Sequence, residues 1–224
     1  MFVFSDLIAL ILKFRAVRWR VRNVLALLIV LGCPMVAGQS MPDGEDLAAL
    51  DAQPVGAVTM VIGRANLFSA TTGEVRITRG QILREGDRIR TESNGHVHVR
   101  FQDGAILSVR PSSQLEIIAY QFDEKSPRNS QVKLNLIEGT ARAVSGEAAK
   151  AAKERFRLNT PIAAIGVRGT DFVVSTTPNS MMALVNEGSI VVSPFSAECV
   201  AQGIGPCDTN GVELDGESMQ IIEF

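Results

Sequence analysis

The sequence predicts an all-β protein built from many short strands. β-branched and apolar residues alternate with polar ones over short runs, glycine turns separate those runs, and few windows have helical periodicity. The clearest run is HVHVRF at 96–101, where period-two alternation puts three side chains on one face, those of Val97, Val99 and Phe101.

The remaining strand candidates follow the same logic along the chain. In QVKLNLI, at 131–137, we expect Val132, Leu134 and Leu136 to face the core. Further runs of this kind lie at 57–62, 64–70, 104–109, 114–119, 155–159, 171–176, 181–186, 189–193 and 218–223. Only residues 145–156, SGEAAKAAKERF, have helical character, and they predict at most one short surface helix between strands.

Glycine turns separate many of these strands. A small or acidic residue precedes glycine at Glu85-Gly86, Asn94-Gly95, Asp103-Gly104, Glu138-Gly139, Glu187-Gly188 and Asp215-Gly216. We expect the reversal at Asp103-Gly104 to turn both Phe101 and Ile106 toward the core.

Residues 1–38 have the pattern of a secretory signal peptide. A basic region precedes the apolar run at 24–32, and small residues follow up to Gly38; the basic residues are Lys13, Arg15, Arg18, Arg20 and Arg22. The apolar run is shorter than the ~20 residues that span a bilayer. We therefore expect a signal helix that is cleaved after Gly38. A retained membrane anchor and lipidation of Cys33, in the lipobox-like string VLGC, are the alternatives.

The mature chain is acidic. Subtracting the leader's five basic residues and Asp6 from the totals of 22 and 24 leaves 17 basic and 23 acidic residues, a net charge of −6. Nucleic acid and anionic lipid are bound through clustered Lys and Arg, so this balance argues against both as partners. Residues 39–54 are polar and acidic without a strand pattern, and they predict a linker.

Two cysteines remain in the mature chain, Cys199 and Cys207. An even number of cysteines in an exported protein predicts a disulfide, here closing a short loop that contains glycine and proline. Two free buried thiols are the alternative. The spacing does not match a zinc site, and no histidine is near in sequence.

No catalytic constellation is present in the sequence. His96 and His98 are the only histidines, and they share one strand face with Asp103 close behind. A metal site would need three or four ligands, so we interpret the pair as a solvent-facing polar row. The motifs of serine hydrolases, P-loops and dinucleotide-binding folds are all missing. We expect neither enzymatic activity nor a cofactor or metal.

Read in order, four segments of the chain resemble the FecR domain, the periplasmic domain of bacterial regulators of iron-siderophore uptake. They are GAVTMVIGRANL, the stretch from GQILREGDRIRT to DGAILSVRPSSQLEI, VKLNLIEGTARAV, and FRLNTPIAAIGVRGTDFVV with ALVNEGSIVV. The resemblance covers about residues 55–195. Its motif residues are Asp87, Asp103, Gly104, Thr160, Pro161, Gly166, Arg168, Gly169, Thr170 and Asp171.

We expect these motif residues to hold the fold, since polar residues beside turns usually satisfy backbone groups. Gly166 and Gly169 would allow close backbone approach, while Arg168 and Asp171 are spaced to pair across a turn. The resemblance implies short strands wound into a β-roll or a helix-like coil. It also implies export to the periplasm or beyond, and a role in binding or signalling.

The chain departs from typical family regulators. The segments before and after the domain are shorter than the sigma-factor-binding and receptor-contacting parts of those proteins. We therefore expect a stand-alone module, with a C-terminal part at 196–224 that contains the disulfide loop and a final strand. Its expected partner is another envelope protein, with membrane contact only through an uncleaved leader or lipidated Cys33.

Carbohydrate or peptidoglycan binding is the alternative function. Sugar platforms usually stack on aromatic rings, and the mature chain keeps one tyrosine, Tyr120, and no tryptophan. Pairing of an exposed strand edge with another protein needs no aromatic residue.

Overall fold

A computed structural model describes residues 53–207, 209–217 and 221–223. The predicted signal peptide and most of the predicted linker lie outside these residues. The described residues form sixteen strands: β1 (Pro54–Ile62), β2 (Ala65–Ser69), β3 (Gly73–Arg76), β4 (Ile82–Arg84), β5 (Arg88–Thr91), β6 (His96–Phe101), β7 (Ile106–Val109), β8 (Gln114–Gln121), β9 (Gln131–Val144), β10 (Phe156–Asn159), β11 (Ala163–Val167), β12 (Asp171–Thr176), β13 (Met181–Glu187), β14 (Ser189–Pro194), β15 (Val212–Asp215) and β16 (Ile221–Glu223). The all-β prediction is confirmed.

The strands form two sheets that share β9. Sheet A has the order β4-β1-β6-β7-β9-β12-β13-β16, and sheet B has the order β3-β2-β5-β8-β9-β10-β11-β14-β15. Neighbouring strands are antiparallel throughout the described pairings except for β9 and β10, which run parallel. Winding of these strands into a roll or coil stays a prediction.

The long strand β9 changes sheets at Gly139. Residues 131–138 pair with β8 in sheet B, whereas 139–144 pair with β12 in sheet A. Gly139 has φ +89°, and a Cβ there would lie 2.2 Å from Ser113 Oγ. Glycine is therefore required at this position both by its backbone conformation and by the space available.

The inward faces of the strands supply one hydrophobic core. The alternation seen in the sequence is confirmed: Val97, Val99 and Phe101 are buried, as are Val132, Leu134 and Leu136. Burying this apolar surface is the main stabilising contribution to the fold.

The predicted helix at 145–156 is shorter than its sequence pattern. An α-helix, α1 (Glu147–Ala151), is followed by a 3₁₀ turn at Lys153–Arg155, and a second 3₁₀ turn lies at Pro127–Asn129. Ala148 and Ala149 are each 2% exposed, so α1 packs its alanine side on the core instead of lying free on the surface.

The structure corrects the prediction for the Asp103-Gly104 reversal. Phe101 points inward, but Ile106 lies opposite Arg100, and the neighbouring Leu107 takes the core position opposite Val99. The reason is the turn itself: the Phe101 N–H donates to Ala105 O, which shifts the inward side chain of β7 by one residue.

Candidate interaction surface

Several polar residues of the family motif lie inside the protein and bond to backbone groups. Asp87 is 2% exposed and accepts a hydrogen bond from the Arg84 N–H at 2.8 Å. The Thr160 hydroxyl exchanges hydrogen bonds with the N–H and carbonyl of Ala163, at 3.0 and 3.1 Å. Pro161, next to Thr160, is exposed. The role of the motif in holding turns stays a prediction.

Asp103 joins three segments that are far apart in sequence. Its carboxylate accepts hydrogen bonds from the Ala105 N–H at 3.1 Å, the Ala148 N–H at 3.2 Å and the Tyr120 hydroxyl at 2.7 Å. The Tyr120 ring stacks on Phe101 with 4.0 Å between centroids. Burial and the neighbouring Asp103 carboxylate raise the pKa of Tyr120 far above its ordinary range. This tyrosine is 5% exposed and so does not offer a platform for sugars.

The predicted pair of Arg168 and Asp171 does not form. Arg168 is exposed and reaches Glu213 on β15, with 3.4 Å between Nη1 and Oε1. Asp171 instead accepts two hydrogen bonds from Arg142 on β9, one of them from Nε at 2.8 Å. Hydrogen bonding from Arg142 lowers the pKa of Asp171. The partner of Asp171 comes from β9 and the partner of Arg168 comes from β15. The spacing of Arg168 and Asp171 along the chain could not predict either pairing.

The other residues of the GVRGTDF motif shape the backbone. A Cβ on Gly166 would lie 2.5 Å from Pro206 Cβ, so this glycine gives the predicted close approach. Gly169 has φ +80°, and the Thr170 N–H donates to Ser145 Oγ at 2.9 Å. The hydroxyl of Thr170 is buried without a hydrogen-bond partner among the described residues.

Hydrogen bonds between the hydroxyls of Thr91 and Ser113 and nearby backbone groups join three motifs, which was not predicted from the sequence. Thr91 Oγ1 donates to Arg110 O at 2.6 Å and accepts from the Ser113 N–H at 2.9 Å. Ser113 Oγ in turn accepts from the Thr140 N–H at 2.8 Å. Thr91 and Ser113 are the last residues of the GDRIRT and PSS strings, so both were visible in the sequence. Their contact could not be predicted, because it depends on the fold.

The disulfide prediction is confirmed, since Cys199 and Cys207 are bonded. Arg157 on β10 is 2% exposed and lies under this loop, with Nη2 3.0 Å from Cys207 Sγ. Its Nε donates to Asn159 Oδ1, and the Asn159 amide donates to Ala201 O. Burial lowers the pKa of Arg157. These contacts hold the disulfide loop on sheet B.

The outward side of sheet A presents two rows of side chains across six strands. We define the outer face by these rows, in the strand order β1, β6, β7, β9, β12 and β13. The first row is Ile62, His96, Arg110, Thr140, Ser175 and Met182, and the second is Met60, His98, Ser108, Arg142, Val173 and Leu184. Arg110 follows β7 directly.

The two histidines of the outer face contact each other and β7. Their ring centroids are 4.6 Å apart, and His98 Nδ1 lies 3.2 Å from Ser108 Oγ. Desolvation is the main cause that lowers the pKa of both histidines. Nearby cations add to it, which are His98 and Arg110 for His96, and Arg110 and Arg142 for His98. Both are half-buried, which differs from the expected solvent-facing row.

The structure does not bring Asp103 to the histidines, because its carboxylate is bonded to Tyr120 and to backbone on the core side. In the described part of the chain, no three His, Cys, Asp or Glu side chains are grouped so as to hold a metal ion. An open polar groove of about 580 Å³ lies elsewhere, on sheet B, and is lined by Asn66, Arg90, Thr91, Glu92, Ser93, Ser112, Ser113, Gln114 and Glu138. No helix among the described residues is long and apolar enough to cross a membrane.

The described residues form an all-β scaffold in which several motif residues hydrogen-bond to backbone groups. The family described as FecR protein matches residues 87–191, which include all ten of the motif residues above. The predicted resemblance to the FecR domain is confirmed over residues 87–191.

Comparisons with curated proteins and with solved structures identify no protein of high sequence identity. No curated protein matches the sequence. Two crystal structures of a candidate anti-sigma factor from Parabacteroides distasonis are similar, each with 16% identity and a TM-score of 0.37. The match covers 61% of this chain and 58% of that one, so the chain spans less than two thirds of that protein's length.

Proposed function

We propose that this protein is an exported, non-catalytic FecR-domain protein that acts as a protein-interaction or regulatory module in the bacterial envelope. Its parts would be a signal peptide at 1–38, a linker at 39–54, a roll-like FecR domain at 55–195, and a C-terminal segment at 196–224. The motif residues would serve as structural supports, and the protein would use no cofactor. The carrying observation is the FecR match at residues 87–191.

Two features support a binding role over catalysis. The motif carboxylates Asp87, Asp103 and Asp171 are each engaged by hydrogen bonds within the protein, which leaves them as supports for turns and strands. The outer face, in contrast, presents polar and apolar side chains across six strands of sheet A. Binding proteins commonly use such exposed sheet surfaces and edges.

Export is supported by the leader pattern and by the disulfide, since disulfides persist in oxidising compartments. Mass spectrometry and N-terminal sequencing of the protein from an envelope fraction test this. We expect Gln39 as the first residue and a mass about 2 Da below that of the reduced chain. Recovery of the chain only in the cytosol, with free thiols, would refute export; lipidated Cys33 or an intact leader would identify a membrane-attached form.

The interaction role is tested by chemical cross-linking in intact cells that express the full chain with a C-terminal tag. We expect a defined protein partner whose yield saturates with expression. The matched control is Phe172→Asp, which places a charge at a site with 0% exposure and should unfold the domain. Recovery of glycan alone would favour the carbohydrate alternative, and a partner that survives Phe172→Asp would show that capture does not depend on the fold.

A further inference from the structure

The centre of the outer face is cationic. Arg110 and Arg142 belong to its rows, and Arg100 lies one register position beyond them on β6. The outward residues of β6, β7 and the sheet A part of β9 (139–144) include no acidic side chain. The nearest outward carboxylate in the register, Asp171 on β12, is bonded to Arg142. This patch is opposite in sign to the mature chain, which carries a net charge of −6 by sequence.

Apolar side chains border this cationic centre on both sides. On β1, Met60 and Ile62 are 38% and 54% exposed, and on β13 Met182 is 44% exposed. Five strand spacings of about 4.8 Å separate β1 from β13, so the face is about 24 Å wide. An exposed apolar border around a charged centre is typical of a binding surface.

One border also has an open backbone edge. Pro54 to Ala57 of β1 pair with β4, whereas the described pairings of Met60 to Ile62 are with β6 alone. Unpaired strand edges accept an added strand from a partner.

We propose that the outer face binds an acidic segment of a partner protein, with a carboxylate over Arg110, beside the Arg142–Asp171 pair, and apolar residues against Met60 and Met182. This inference rests on the proposed function and specifies the partner's chemistry. Complementary charge at this surface would select the partner and speed its association.

The histidine pair links this binding to pH. The charges that act on His96 are those of His98 and Arg110, and those that act on His98 are those of Arg110 and Arg142; Met60 and Ile62 on the β1 side are uncharged. Without a partner, desolvation and, to a smaller extent, these cations disfavour protonation of both rings. A bound carboxylate reverses that balance, so binding takes up protons and tightens as pH falls.

The experiment uses the purified, oxidised full chain and a fluorescein-labelled peptide with four central glutamates and two leucines at each end. A control peptide carries lysines in place of the glutamates. Fluorescence anisotropy should show binding of the glutamate peptide alone, weaker in about 200 mM salt than in about 50 mM. Lowering the pH from about 7.5 to about 5.5 should decrease Kd about fivefold, and His98→Gln should reduce this pH dependence.

Arg110→Glu is the decisive variant because Arg110 is exposed and its removal leaves the core intact. We expect it to raise Kd at least about tenfold. Arg90→Glu, the same change at an exposed strand position on sheet B, is the matched control and should change Kd less than about twofold.

Other outcomes overturn the proposal. Equal binding by Arg110→Glu, or by the lysine peptide, would exclude an acidic segment on this face. Stronger binding to anionic phospholipid vesicles would assign the face to lipid headgroups, and a dimer in solution that Arg110→Glu dissociates would assign it to a second copy of the chain. A cross-linked partner that is insensitive to Arg110→Glu would leave the proposed function standing and refute this surface alone.

Discussion

Replacing Tyr120 with phenylalanine should destabilise the protein in a way that depends on pH. The change keeps the ring that stacks on Phe101 and removes only the hydroxyl, which donates to Asp103 Oδ1 at 2.7 Å. Asp103 retains the Ala105 and Ala148 N–H groups as donors. A buried hydrogen bond to a carboxylate contributes about 1.5–3 kcal/mol, so we expect a loss of about 2 kcal/mol at pH 7.

The second part of this prediction follows from the raised pKa of Tyr120. Below about pH 10 the phenol keeps its proton in both the folded and the unfolded chain. Above that value the unfolded chain releases the proton while the folded chain retains it, so stability falls as pH rises. At about pH 11 the loss is about 1.4 kcal/mol for the wild type. The variant lacks this group, so the difference in stability between the two proteins should shrink.

Urea denaturation followed by circular dichroism at about pH 7, 9 and 11 measures both effects. Tyr120 is the only tyrosine in the chain, so phenolate absorbance reports on this residue alone and should appear together with unfolding. Equal stability at neutral pH, or a parallel alkaline decline in both proteins, would refute the assigned hydrogen bond and burial.

Three other predictions concern stability. Gly139→Ala should cost about 2 kcal/mol more than Gly80→Ala in chemical denaturation, because both residues have positive φ but only Gly139 lacks space for a Cβ; equal costs would contradict the crowding at Ser113. Reducing the disulfide should lower the free energy of unfolding by about 2.5 kcal/mol, the entropy estimate for a nine-residue loop, and the Cys199→Ala, Cys207→Ala double variant should no longer respond to reductant. Asp171→Asn should cost less than about 1 kcal/mol at pH 7 because Arg142 is 43% exposed. Since the pKa of Asp171 is lowered in the folded protein, its contribution to the free energy of unfolding is present above the unfolded pKa near 4 and is lost as pH falls below it. The stabilities of wild type and variant should therefore converge near pH 2. A difference that stays constant with pH would rule out the ion pair.

Much of the local structure could be predicted from the sequence. The alternation in 96–101 and 131–137 identifies strands and their inward residues because side-chain direction in a strand repeats every two residues. The strands that the pattern missed are short ones, such as β4, or strands without alternation, such as β11, whose five residues are all buried. Burial on both faces removes the polar positions on which the pattern depends.

The candidate surface could be predicted from the sequence less well than the strands, because its residues come from several strands. His96 and His98 were visible as a pair, but their neighbours Arg110, Arg142 and Met60 come from three other strands. Likewise, the hydrogen bonds from the Ser113 N–H to Thr91 and from the Thr140 N–H to Ser113 join residues up to 49 positions apart in sequence.

By itself, then, the sequence determined the all-β class, the disulfide and the resemblance to the FecR domain, because each depends on local periodicity, on residue type or on an ordered series of motifs. Only the tertiary structure decided that Arg142, and not Arg168, bonds Asp171, that β9 joins two sheets, and that cations gather on the outer face. The physical reason is that strand register depends on how distant segments bury their inward faces together. That register then determines which outward side chains become neighbours.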